Sequence, residues 1–334
     1  MSYGSINILS KKATIKKINE LVEMLNYKKY KNPNVPGLVN SYFWSDDSNY
    51  HSFTGVELNI YRENGIISVT TRSRVDRSYW DLQHQNKTIK LLKEYYGGTF
   101  TTDVGKNKYL QPDREPPSNI EAGLYLSRWE YHNAIIKLKF YMDCRNNKGD
   151  ISTPEATGIN YMDEINPQLL SNNFIVPYIV GAWEHYLKSS YIVLLKYANN
   201  RDRVFKNIRL TYADLNSVSL KEKTIEECVA DKLSFQRPTK IVEHFKALTD
   251  DFDLYATLIV PRGSRTINYN IIIEKIIESR NNFVHTGKMD ITISNTKIKK
   301  IINDFETAGN LIYSQFMQSY NFKHFDVTLF ISRV

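Results

Sequence analysis

From residue 168 onward the chain repeats one signal: apolar residues at three- and four-residue spacing, over the segments 168–198, 239–248, 267–285 and 295–320. Four such segments suffice for a helical bundle. The third has the most sharply marked end. It is rich in isoleucine and closes on Arg280-Asn-Asn-Phe-Val-His285, followed at once by Thr286 and Gly287, and glycine in that place stops a helix.

The first 160 residues carry a different pattern. Ile15, Ile18, Leu21, Val22 and Leu25 recur at helical spacing and predict an amphipathic helix over residues 13–25, followed by a loop rich in Asn and Pro. Residues 53–61 and 66–72 read as a strand pair joined near Glu63-Asn64-Gly65, a tripeptide suited to a tight turn. A helix is expected over 79–96, ending at Gly97 and Gly98, and a second strand pair over 123–129 and 135–142 around Tyr131-His-Asn133. Residues 146–166 are polar and contain Gly149, Pro154 and Gly158, so the natural connection between halves lies there, with a cut near Asn160. The last β-prone segment is 325–331. The expected fold class is α+β: a mixed α/β domain over residues 1–160, then an all-α bundle over 161–334. A length of 334 residues with 42% apolar content fits two globular domains.

Net charge is +8, with +5 in residues 1–160 and +3 in the remainder, so neither half is a polybasic tail. That balance permits attraction to nucleic-acid phosphates without requiring it. Cys144 and Cys228 fall in different proposed domains and lack metal-ligand spacing, which predicts reduced thiols and no zinc site. No secretory leader is recognisable, and the apolar run 174–183 is too short and Pro-interrupted to span a bilayer, so a soluble, cytoplasmic protein without membrane partners is expected.

Arg280, Asn281 and His285 place a guanidinium, a carboxamide and an imidazole within about one turn. Arginine holds phosphate through a rigid fork of donors, and imidazole can take a proton from a ribose 2′-hydroxyl or return one to a leaving oxygen, with no metal or other cofactor. Asn281 and His285 are four apart and share a helix face. Arg280 lies five residues from His285, about 140° around the axis, so its side chain must reach across or the last turn must distort. Spacing alone does not single out this pair, since 15 Arg and 7 His also give Arg77 with His84 and Arg237 with His244. Arg280 and His285 can also be read as cations meeting the negative end of the helix dipole. In the first half, Arg72 and Arg74 would project from one strand face, with Arg77, Tyr79 and Trp80 close by. Such a group can hold phosphates and stack bases, or form a solvated edge.

In this setting RNNFVH resembles the signature of the HEPN superfamily (higher eukaryote and prokaryote nucleotide-binding domains), many of whose members are RNases. Ala182-Trp-Glu-His-Tyr-Leu-Lys188 resembles the first helix of those bundles, and Ser234-Phe-Gln and Ile241-Val-Glu-His-Phe245 resemble their middle helices. The similarity covers roughly residues 167–320. Trp183, Tyr186, Leu187 and Tyr191 are expected in the core, with His185 on the surface.

The resemblance implies a metal-independent endoribonuclease with Arg280, His285 and Asn281 in the site, and with Glu184 facing the arginine-histidine pair. It implies a homodimer whose composite active site takes one histidine from each chain, and RNA, tRNA included, as substrate. It further implies a toxin or an antiviral effector of phage defence or abortive infection, held by an inhibitor or released by a trigger protein. Two other readings stay open. One is a non-catalytic HEPN module binding a nucleotide or a protein. The other is a nucleic-acid-binding regulator acting through its N-terminal domain.

Overall fold

A computed structural model describes residues 2–10, 12–30, 35–112, 115–147, 160–163, 165–197, 200–249 and 253–323. The described residues divide into two compact units, one within residues 1–122 and the other within residues 123–323.

The first unit contains β1 (Tyr3–Ile8), α1 (Ile15–Met24), β2 (Lys28–Tyr30), β3 (Leu38–Trp44), β4 (Val56–Glu63), β5 (Ile66–Ser73), α2 (Tyr79–Tyr96), β6 (Thr99–Thr102) and β7 (Gly105–Lys106). Its seven strands form one antiparallel sheet in the order β2-β3-β4-β5-β1-β6-β7. The expected hairpin is β4–β5. Glu63 pairs with Ile66, and Asn64 and Gly65 both have positive φ (50° and 77°), as the tightest hairpin turn requires. Helix α2 begins where Ser78 and Asp81 cap each other reciprocally and ends at Gly97 (φ 63°).

Helices α1 and α2 cover one face of the sheet. Ile18 and Val22 of α1 and Leu92 of α2 pack against Tyr42, Val56, Leu58, Ile60 and Val69, and each fully buried aliphatic side chain contributes about 1.5–3 kcal/mol. Beside this apolar core lies a polar one. Ser5 Oγ and Thr71 Oγ1 are 2.7 Å apart, Asn7 donates to the Val69 carbonyl, and Gln85 donates to Thr71 Oγ1 while accepting from Ser73 Oγ. Because the helix-facing residues of β1 are Ser5 and Asn7, its apolar residues Ile6 and Ile8 point to the opposite, open face. The alternation in β1 is therefore regular, but its buried face is the polar one.

The second unit is helical. It comprises most of α3 (Asn119–Asn147), then α4 (Asn160–Asp163), α5 (Pro167–Tyr197), α6 (Arg201–Phe205), α7 (Tyr212–Ser219), α8 (Ile225–Ala230), α9 (Pro238–Leu248) and α10 (Leu254–Thr257). The hairpin β8 (Ile259–Arg262) and β9 (Arg265–Asn268) precedes α11 (Tyr269–Thr286) and α12 (Asn295–Ser319). The expected strand pair at 123–129 and 135–142 is corrected: both segments belong to the single helix α3. Aromatic and β-branched residues there suggested strands, but Tyr131, Ile135, Leu138 and Met142 are buried at helical spacing, so packing overrides propensity. The boundary between units accordingly falls at Gly123 rather than within the polar stretch, and Cys144 and Cys228 both lie in the second unit as free thiols.

Helix α5 is the spine of this unit, packing on α8, α9, α11 and α12. Trp183, Tyr186, Leu187 and Tyr191 are buried along it, while His185 is exposed and meets Glu130 at 3.1 Å. Helix α12 approaches α3 closely at Gly309, where a Cβ would stand 2.3 Å from the Tyr131 ring. Tyr131 also donates its hydroxyl to the Phe305 carbonyl at 2.8 Å. Among the described residues no helix is long and apolar enough to cross a membrane. Residues 325–331 lie outside the described residues.

Candidate active site at the end of α11

Helix α11 starts where the Asn268 side chain accepts from the backbone N–H groups of Asn270 and Ile271. Ile273, Ile276 and Ile277 bury its inner face. It ends at Gly287 (φ 68°), whose N–H reaches the Phe283 carbonyl at 2.8 Å. The helix is therefore regular through the whole RNNFVH segment, and no distortion brings Arg280 toward His285. Instead Arg280 Nη1 donates to Asn281 Oδ1 at 2.9 Å, which draws the guanidinium around the helix toward the face that Asn281 shares with His285.

Arg280 is half-buried, and its buried Nε has no hydrogen-bond partner. Among the described residues it meets no carboxylate within ion-pair distance. Its charge is thus held by a neutral amide alone, which leaves guanidinium donors for an anion. That cation has a physical purpose here, because the carboxyl end of a helix repels phosphate. Asn281 is held in turn by Gln236 Nε2 at 3.4 Å. His285 is exposed in the last turn.

The segment after the site is fixed to α5. Asn173 donates to the Asp290 carbonyl (3.1 Å) and accepts from the Asp290 N–H (2.9 Å), while Asn172 donates to the Ile293 carbonyl (2.8 Å). Arg145 steadies this pair by donating to Asn172 Oδ1 (2.8 Å) and Asn295 Oδ1 (2.6 Å). Phe283 meets Phe174 edge-on at 5.3 Å, so the end of α11 rests on the start of α5.

Glu184 is not brought to Arg280 or His285 within ion-pair distance in the single chain. It sits farther along α5 with its buried Oε1 lacking a hydrogen bond. The two other Arg–His pairs are engaged elsewhere. His84 is stacked on Trp44 at 3.8 Å, and burial, assisted by the charge of Lys87, pushes its pKa down to about 4. Arg237 pairs with Glu274 at 3.0 Å, and His244 sits 3.0 Å from the Ser234 carbonyl.

In the first unit the three arginines part company. Arg74 is bound to Glu57 at 2.9 Å, Arg77 covers the Tyr3 ring at 3.5 Å, and Trp80 stacks on His51. Among the described residues Arg72, on the open sheet face, makes no more than a long contact to Ser2 Oγ (3.5 Å). Sequence reasoning missed Gln236 and the Asn172–Asn173 pair as supports of the motif. A run of two buried asparagines in an otherwise apolar helix is the signal that marked the latter.

Comparison with curated proteins and with solved structures gave no match. The family model described as RiboL-PSP-HEPN matches residues 138–318, which is more than half of the chain and contains Arg280, Asn281 and His285. The chain therefore belongs to the RiboL-PSP-HEPN family, with its HEPN domain in the C-terminal half.

Proposed function

We propose that this protein is a metal-independent endoribonuclease that uses Arg280 and His285, with Asn281 orienting the arginine. The observation that carries this reading is an arginine without an acidic partner, turned by Asn281 toward the face of an exposed histidine, at a helix end inside a HEPN domain. Arg280 binds the scissile phosphodiester and stabilises the charge that develops on its oxygens. One His285 takes the 2′-hydroxyl proton as that oxygen attacks phosphorus. The bond to the 5′-oxygen breaks, and a second imidazole returns a proton to it. The products are a 2′,3′-cyclic phosphate and a 5′-hydroxyl, and DNA lacks the nucleophile.

Among the described residues a single chain offers one such histidine at the site, so the second comes from another copy of the chain. The surface beside the motif supports that assembly. Val284 (51%) and Phe174 (61%) are exposed there, and a groove lined by Tyr141, Leu170, Phe174 and Tyr178 continues from them. Glu184, its Oε1 buried without a bond, is proposed to support the site in the assembled form. We place the enzyme in the cytoplasm as a toxin or antiviral effector, with RNA, tRNA included, as substrate and a trigger or inhibitor protein as its control.

The test is cleavage of total cellular RNA and tRNA in EDTA by the parent, Arg280→Ala and His285→Ala at equal concentration. Cyclic-phosphate ends from the parent alone are expected. Equal activity in all three would overturn the assignment.

A further inference from the structure

The open face of the first unit's sheet holds a pocket of about 480 Å³, lined by Gly4, Asn59, Thr70, Arg72, Thr101 and Asp103 among others. Gly4 lines it, and nothing in the backbone asks for glycine there. Gly4 sits inside β1, outside the positive-φ conformations, paired with Arg72 of β5. A Cβ at this position would meet its nearest atoms only at 3.8 and 3.9 Å. Glycine inside a strand weakens it, and where no turn or bulge requires it, the remaining use is to let another molecule come close.

The rim chemistry narrows that molecule. Arg72 brings one guanidinium, and of the two carboxylates nearby Glu57 is engaged by Arg74 while Asp103 takes the Gly4 N–H at 2.7 Å. Asp103 keeps its negative charge, so the rim sets one cation against one carboxylate, which suits the single charge of a phosphodiester better than the two or more charges of a free nucleotide. The remaining lining offers hydroxyls, a carboxamide and the exposed side chain of Ile6, which suit a sugar and the face of a base. The cross-strand row through Arg72 continues over Glu57 and Phe43 to Lys28, three strands and about 14 Å away. A second cation along one row suits a strand better than a small molecule.

We infer that this pocket seats one nucleotide of a single-stranded RNA, its phosphodiester on Arg72 and its sugar and base over Gly4 and Ile6, making the open sheet face the substrate-selecting surface of the enzyme. The choice of RNA rests on the endoribonuclease reading above. The geometry of the pocket does not.

The experiment measures binding of a fluorescein-labelled single-stranded RNA 12-mer by anisotropy, using the full chain carrying His285→Ala so that the RNA stays intact. Gly4→Leu added to that chain fills the pocket, and a loss of affinity of about tenfold or more is expected, the effect of one held nucleotide. Arg72→Ala, an exposed change, is expected to weaken binding and reduce the salt slope by about one. Should Gly4→Leu fail to fold by circular dichroism, Arg72→Ala decides alone. Unchanged affinity and salt slope in the folded variants would overturn the proposal, as would displacement of the RNA by a mononucleotide at lower concentration than by unlabelled 12-mer. Absence of cleavage by the purified parent together with equal toxicity of the parent and His285→Ala on expression in cells, with binding lost in Gly4→Leu, would sink the endoribonuclease reading and leave the pocket standing.

Discussion

Protonation of His84 should destabilise the first unit between about pH 6.5 and pH 4. The ring is stacked on Trp44, lies 5.0 Å from Tyr27 and keeps a buried Nε2 without a hydrogen bond. Burial, its main cause, and the charge of Lys87 lower its pKa from 6.5 to about 4. The folded state therefore binds the proton less readily than the unfolded chain. Stability from this group is full above about pH 6.5, falls as the pH drops toward 4 and then levels, for a total loss of about 3 kcal/mol, with about 2 kcal/mol already gone at pH 5. His84→Phe keeps an aromatic ring on Trp44 and removes the titration. The assay is urea unfolding followed by tryptophan fluorescence at pH 7.5, 6, 5 and 4.5. The parent should lose stability relative to His84→Phe steadily across that series, and subtracting the two curves removes the contribution of carboxylates such as Asp46. A pH-independent difference between the two proteins would refute the buried neutral imidazole.

Other outcomes follow from the second unit. Arg280→Lys keeps the charge but loses the fork and the bond to Asn281, so cleavage should drop about tenfold or more, against about 100- to 1,000-fold for Arg280→Ala, as measured by initial rates. Asn173→Ala removes both bonds to Asp290 and one to the Leu169 carbonyl, and chemical denaturation should register about 2–3 kcal/mol of lost stability. Gly309→Ala raises intrinsic helix propensity, yet its Cβ meets the Tyr131 ring, so a net loss of about 1–3 kcal/mol is expected in the same assay.

The elements legible in the sequence were those with their own punctuation. Helix α2 carries Ser78 and Asp81 at its start and Gly97 at its end, the β4–β5 hairpin carries Asn64-Gly65, and α11 carries Gly287. What stayed hidden lacked such marks or contradicted them. Strand β1 presents its polar residues to the helices, β3 follows a loop-like Asn/Pro stretch, and α3 has the composition of two strands, its helical character set by the partners it packs against. The same division holds for the candidate site. Arg280, Asn281 and His285 are local in sequence and could be named together. Gln236 and Asn173, which hold Asn281 and the following segment, are distant in sequence and become neighbours only through folding.

The sheet ends in β2 on one side and β7 on the other, three and two residues long. Among the described residues β2 pairs with only Ser41, Tyr42 and Phe43 of β3, so each terminal strand is itself a short template for another molecule's strand. Pairing of copies through β2 or β7 would thus join only two or three residues of each chain. The broad face of the sheet can vary its side chains under selection for recognition without altering the backbone pairing at those two terminal strands.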